Sequence, residues 1–125
     1  LGVHAGTDIT GFGLLGHARE MAIASRVTIE LHTDGIRWLP GALEYAAAGC
    51  IAGGLRNNRA FFACDVEISS SVPEAWVDGL YDPQTSGGLL LSMEPSTVEE
   101  FLERVPGSFP AGEVYPLSGK PVRVK

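Results

Sequence analysis

Two glycine-punctuated segments constrain this chain most: Thr7-Asp8-Ile9-Thr10-Gly11-Phe12-Gly13-Leu14-Leu15-Gly16-His17 and Asp82-Pro83-Gln84-Thr85-Ser86-Gly87-Gly88. Each sets an acid and hydroxyls beside glycines, just ahead of a run patterned as a helix or a strand. Glycine lets a ligand approach the backbone closely and exposes N–H groups. A helix start adds donors without intrahelical partners and a partial positive charge. Such a setting suits phosphate, and a neighbouring Asp suits the hard cation that travels with phosphate. A nucleotide enzyme is therefore the first expectation.

The stretches between these segments alternate in period. Gly11 to about Ser25 reads as a helix, with Leu14, Leu15, Ala18, Met21 and Ala22 at helical spacing and Thr10 as its N-cap. Val27 to His32 alternates as a strand and Thr33-Asp34-Gly35 as a turn. Leu39 to Ala48 reads as a second helix, with Pro40 in its first turn and Gly49 at its stop. Residues 50–60 read as a Gly- and Asn-rich loop, Phe61 to Ser69 as a strand, and Pro73 to Leu80 as a short helix. Gly88 to Met93 is a continuous apolar run suited to a central strand covered on both faces. Ser96-Thr97-Val98-Glu99 has the form of a capping box, opening a helix with Val98, Phe101, Leu102 and Val105 on one side. Glu113 to Tyr115 and Pro121 to Val124 read as a terminal hairpin turning at Ser118-Gly119. This order predicts an α+β fold of layered α/β type, a mixed β-sheet with helices packed on it.

At 125 residues the chain is one domain with room for a core. A net charge of −6 excludes the basic face of a nucleic-acid binder but not a phosphate ligand, because glycine backbone and a metal supply a local positive field. No unbroken apolar stretch reaches the roughly 18 residues of a membrane span, and no signal peptide is visible. Cys50 and Cys64 cannot form a disulfide scaffold and read as small buried residues of a reduced, cytoplasmic protein. The chain opens on Leu1 amid loop-like sequence, so it is read as a domain excised from something longer.

Each motif has a plainer alternative. Gly11-Phe12-Gly13-Leu14-Leu15-Gly16, with Glu30 about 20 residues on, imitates a dinucleotide-binding fingerprint. That fingerprint needs a hydrophobic strand running into the first glycine, and Leu1 to Thr10 does not look like one. The glycines can equally serve close helix packing. Asp8 is either a helix-start acid or a hard-metal ligand whose partners lie elsewhere, Asp82 or a missing domain. Asp82 to Gly88 is either a capped Asp-Pro turn or a loop facing phosphate. Arg56 and Arg59 lie in a segment that is either solvated or phosphate-facing. His17 reads as a packed or surface histidine, and Trp38 and Trp76 as core or interface anchors.

At these residues the chain resembles the selenophosphate synthetase (selenide, water dikinase) family. Thr7 to His17 with Glu20-Met21, Leu39-Pro40-Gly41-Ala42-Leu43-Glu44, and Asp82 to Leu90 carry the resemblance, which runs over nearly the whole chain. The wider group includes aminoimidazole ribonucleotide synthetase, formylglycinamide ribonucleotide amidotransferase and the hydrogenase-maturation carbamoyl dehydratase. The resemblance implies the fold of the C-terminal domain of aminoimidazole ribonucleotide synthetase. It further implies ATP-dependent phosphorylation of selenide, giving selenophosphate, AMP and phosphate, with Mg2+. By the same resemblance Asp8 is a metal ligand, and Thr7, Gly11, Gly13, Thr85, Ser86, Gly87 and Gly88 form one wall of the nucleotide cleft. The implied partners are the protein's own N-terminal domain, a second copy in a homodimer, and selenide; neither nucleic acid nor membrane is implied. The family's nucleophilic Cys or selenocysteine and its Lys belong to the N-terminal domain, so the isolated chain is expected to be inactive. Leu55, Arg56 and Asn57 depart from the family's hydroxyl and two basic residues ahead of Asn58, and no phosphate contact is assigned to that loop. The alternatives are another enzyme of the same fold group, or a non-catalytic interaction domain.

Overall fold

In the computed structural model, which describes residues 2–125, eleven elements outside two single 3-10 turns divide into two sheets and five helices. The larger sheet holds four strands in the order β3 (Val66–Ile68), β6 (Val122–Val124), β2 (Val27–Leu31) and β5 (Gly112–Pro116). It is mixed, as expected: β6 runs parallel to β2 and β3, and β5 antiparallel to β2.

One face of this sheet makes the core. Ile29, Leu31, Val66, Val122 and Val124 are buried against α1 (Gly13–Ser25), whose Leu15, Ala18, Met21 and Ala22 form the helical stripe expected from their spacing. Val77, Leu80 and Tyr81 of α4 (Glu74–Tyr81) and Leu55 and Phe62 of α3 (Gly53–Phe62) close the same core. Trp38 and Trp76 meet edge to face at 5.4 Å, where α2 (Ala42–Ala47) packs near α4. A row of charges, Glu67–Arg123–Glu30–Glu113, crosses the opposite face in register.

Several expectations are corrected. Val3–Asp8 does form a strand, β1, although its polar, glycine-bearing sequence does not suggest one; Leu1 lies outside the described residues. β1 pairs antiparallel with β4 (Leu89–Met93) in a separate two-stranded ribbon. The apolar run at β4 is therefore not a central strand: Leu90 packs against the core while Leu89 is exposed. Residues 50–60 are mostly helix, because Leu55, Asn58 and Phe62 recur at helical spacing and are buried, and packing overrides two glycines. The strand expected over Phe61 to Ser69 shrinks to β3.

The terminal hairpin does not form. β5 and β6 flank β2 on opposite sides, so the connection must step over one strand, about 10 Å at normal strand spacing. Residues 117–121 make that step, and the buried Thr28 hydroxyl holds it, donating towards the Ser118 and Lys120 carbonyls and accepting from the Ser118 N–H at 3.0 Å. The capping box is also absent: α5 (Pro95–Arg104) starts two residues early, with Glu94 in place of Ser96 as N-cap, and the Thr97 hydroxyl donates to the Glu94 carbonyl at 2.8 Å. Cys50 and Cys64 are exposed free thiols, not buried ones. No described helix is long and apolar enough to cross a membrane.

Candidate functional site

The fold brings the two glycine-punctuated segments side by side. β1 ends at Asp8, which pairs in register with Leu89, and the Ile9 N–H donates to the Gly88 carbonyl at 2.9 Å. The Gln84 N–H donates to the Thr10 carbonyl at 3.0 Å, joining the loops a second time. Asp8 is exposed at this junction and Thr7 half-buried, its hydroxyl directed to the Asp8 carbonyl at 3.2 Å. Thr85 and Ser86 are also exposed.

The glycines divide into two kinds. Gly13 takes φ +70° and a Cβ there would lie 2.8 Å from the Tyr81 carbonyl carbon; a Cβ on Gly87 would lie 2.2 Å from the Ile9 carbonyl oxygen. These two permit close backbone approach. Gly11 and Gly88 have nothing within 4 Å of such an atom and leave open backbone. Gly16 is a packing glycine, since its Cβ would strike Phe12 at 2.6 Å and Phe62 at 2.8 Å. The dinucleotide-binding alternative fails on topology: β1 and β2 lie in different sheets, and Glu30 is held by His32, Arg123 and Lys125 instead of facing a ligand.

Side chains to which sequence reasoning assigned no part in the site hold the junction together. Thr10 does not cap α1, whose N-cap is Phe12 with no side-chain bond. Its hydroxyl instead meets His17 Nε2 at 2.9 Å, and the Phe12 ring lies 5.4 Å from the imidazole. Asn58, buried on α3, donates from Nδ2 to the Gly11 carbonyl at 2.8 Å and the Tyr81 carbonyl at 3.0 Å. A polar residue inside the apolar stripe Leu55–Asn58–Phe62 is the signal that could have revealed it, because a buried amide demands partners. Arg59 binds Glu74, and Asp78 at 3.1 Å, which commits it to structure and holds its guanidinium above the usual arginine range. Arg56 is exposed.

Burial sets the electrostatics at the base of the junction. It pushes the Tyr81 phenol up to about 12, so that hydroxyl stays neutral, and raises the neighbouring Asp82 carboxyl above its usual range. Among the described residues, no three His, Cys, Asp or Glu side chains converge to hold a metal ion. Asp8 nevertheless fits such an ion as a single exposed, hard-oxygen ligand, and Mg2+ commonly takes one or two protein carboxylates together with phosphate oxygens and water.

The sequence has relatives among known proteins. The chain is 40% identical over 129 residues to a selenide, water dikinase of Clostridium botulinum (strain Eklund 17B / Type B), covering all of this chain and 37% of that protein. It is 42% identical over 127 residues to one of Clostridioides difficile (strain 630), covering 98% of this chain and 36% of that protein. It is 49% identical over 105 residues to one of Caldanaerobacter subterraneus subsp. tengcongensis, covering 84% of this chain and 30% of that protein. The chain thus spans about a third of the length of the curated relatives it matches. Residues 1–114, from β1 through most of β5, match one domain family throughout, and with helices packed on a mixed sheet the chain belongs to that family, the AIR synthase related protein C-terminal domain.

Proposed function

We propose that this chain is the C-terminal part of an ATP-dependent enzyme that converts ATP, selenide and water to selenophosphate, AMP and phosphate. The similarity to proteins named selenide, water dikinase supports the reaction class. One structural observation carries the site: Asp8 ends β1 as an exposed carboxylate beside the Gly87–Gly88 loop.

In this reading Asp8 is one ligand of Mg2+, with the remaining ligands drawn from phosphate oxygens, water and the N-terminal domain. Held there, Mg2+ would supply the positive charge that offsets the charge of the ATP phosphates. The chain's own residues shape one wall of the nucleotide cleft. Gly11 and Gly88 keep backbone open to a ligand, and Gly13 and Gly87 draw the two loops together. Thr7, Thr85 and Ser86 place hydroxyls along that wall. With a net charge of −6 the chain repels a bare polyphosphate, so the cation is also what makes the wall tolerable to ATP. The nucleophile belongs to the N-terminal domain, the whole protein works as a cytoplasmic homodimer, and the isolated chain forms no selenophosphate.

The test is Asp8→Asn in the full-length protein. Because the side chain is exposed, folding should be unchanged, while selenide-dependent AMP formation falls by a factor on the order of 100 or more. Normal Mg2+-dependent turnover by the variant would refute the metal role. Formation of ADP in place of AMP would assign the chain to another reaction of the same fold group.

A further inference from the structure

We propose that Asn58 is a positioning residue for Asp8: its buried carboxamide clamps two backbone carbonyls and sets the gap between the loop after Asp8 and the loop that opens at Asp82. The inference rests on the reading of Asp8 as a cation ligand.

The two carbonyls stand at the roots of the two loops. Gly11 lies three residues beyond Asp8, and Tyr81 immediately precedes Asp82. Asn58 reaches them across 47 and 23 residues of chain, from a third element, and is only 8% exposed. Both N–H groups of the carboxamide are used, which fixes the plane of the amide as well as its position. The other links between the loops are backbone hydrogen bonds, Ile9 to Gly88 and Gln84 to Thr10. Among the described residues, no other side chain hydrogen-bonds to both loops.

A residue serving only to fill the stripe between Leu55 and Phe62 would be apolar. Leucine there would keep the volume and leave two carbonyls without their donor. The loops would then be joined only by their outer backbone bonds, free to change their angle. Asp8 lies three residues before the clamped Gly11, so its carboxylate would lose its fixed place against the second loop and the cation site would loosen. A ligand displaced by a fraction of an ångström loses affinity for an ion as geometrically demanding as Mg2+.

The experiment compares Asn58→Leu, Asn58→Gln and Asp8→Asn in the full-length protein, using Mn2+ alone as the probe. Free Mn2+ is read by electron paramagnetic resonance, and backbone mobility by amide hydrogen exchange. Asn58→Leu should bind Mn2+ at least about 5-fold more weakly and speed exchange at Ile9 and Gln84 about 10-fold or more. Exchange at Ile29 and His32, whose amides bond Pro121 and Ala111 in the larger sheet, should not change. Asn58→Gln, which keeps the donor, should recover part of both. Uniformly faster exchange, Ile29 and His32 included, makes Asn58 a stability residue only and overturns the proposal. Wild-type Mn2+ affinity in Asn58→Leu, with affinity lost in Asp8→Asn, overturns it and leaves the reading of Asp8 standing. Wild-type affinity in Asp8→Asn overturns that reading and this inference with it. Should Asn58→Leu fail to fold, Asn58→Gln decides: weaker Mn2+ binding with sheet protection intact supports the clamp, and wild-type affinity with faster exchange at Ile9 and Gln84 overturns it.

Discussion

Gly87 lies against Ile9 so closely that a Cβ added to it would stand 2.2 Å from the Ile9 carbonyl oxygen, whereas the adjacent Gly88 has nothing within 4 Å. Neither glycine adopts a positive φ, so the difference is one of contact and not of backbone strain. Consecutive residues entering a strand point to opposite sides. Here one side is pressed on the β1 chain and the other is open.

The pair therefore makes a direct test. Gly87→Ala must push the two loops apart and should cost about 1–3 kcal/mol of stability, as overpacking usually does. Gly88→Ala should stay within about 0.5 kcal/mol of the parent, as for an uncrowded surface site. Urea unfolding of the two variants measures both. A larger loss at position 88 would mean that the crowded side of this loop has been assigned backwards.

Phe61 and Phe62 separate in the same way on α3. Phe62 is 3% exposed, and its ring meets Phe12 at 5.4 Å, edge to face, and closes over Gly16. Phe61 is 69% exposed. Phe62→Ala should cost about 3–5 kcal/mol, the usual range for a buried aromatic, and Phe61→Ala about 0.5 kcal/mol or less. Thermal unfolding decides between this orientation of α3 and its reverse, which would exchange the two values.

That helix also shows where local pattern stops being informative. The stripe on α1 is continuous, five apolar positions at helical spacing, and it survives into the structure almost unchanged. On α3 the stripe is thinner, Leu55, Asn58 and Phe62, preceded by Gly53-Gly54 and carrying Asn57-Asn58. The two glycines and the two asparagines lower helix propensity, and tertiary burial restores the helix. β1 and β4 misled for a related reason. The strand pairing that stabilises Val3–Asp8 comes from residues 89–93, far along the chain, and an apolar run such as Leu89–Met93 does not say whether both of its faces are covered. The terminal strands misled because a short turn sequence cannot reveal that β2 lies between them.

The candidate site was legible in its residue types and illegible in its supports. Asp8 and the glycines of both loops stand out because backbone chemistry needs those residue types locally. That the loops meet, through Ile9 and Gly88, is a tertiary fact. Asn58 and His17 act across intervals of 47 and 7 residues, and nothing short-range distinguishes a clamp from an ordinary polar side chain.

Glu30 carries the clearest dependence on pH. It sits in the middle of β2 with its side chain 6% exposed, faced by His32 at 2.9 Å, Lys125 at 3.1 Å and Arg123 at 3.4 Å, with Glu113 opposite it on β5. The hydrogen bond from His32, aided by Lys125 and Arg123, holds its carboxyl below the ordinary value of 4.5 despite the opposing effect of burial. The unfolded chain takes up that proton near 4.5, while the folded chain resists it to lower pH. Below that value the unfolded state therefore binds more protons, so the contribution of Glu30 is complete at neutral pH and is lost as pH falls through the folded value. Other carboxylates weaken the fold in acid as well, so the informative quantity is the stability gap between the parent and Glu30→Gln. At about pH 7 the variant should be less stable by about 1–3 kcal/mol, because Arg123 and Lys125 lose their counter-ion and the buried amide satisfies them poorly. Urea midpoints followed down to about pH 3 should show the gap narrowing as Glu30 in the parent becomes protonated. A gap that stays constant through the acid range would mean that the carboxyl titrates alike in the folded and unfolded chain.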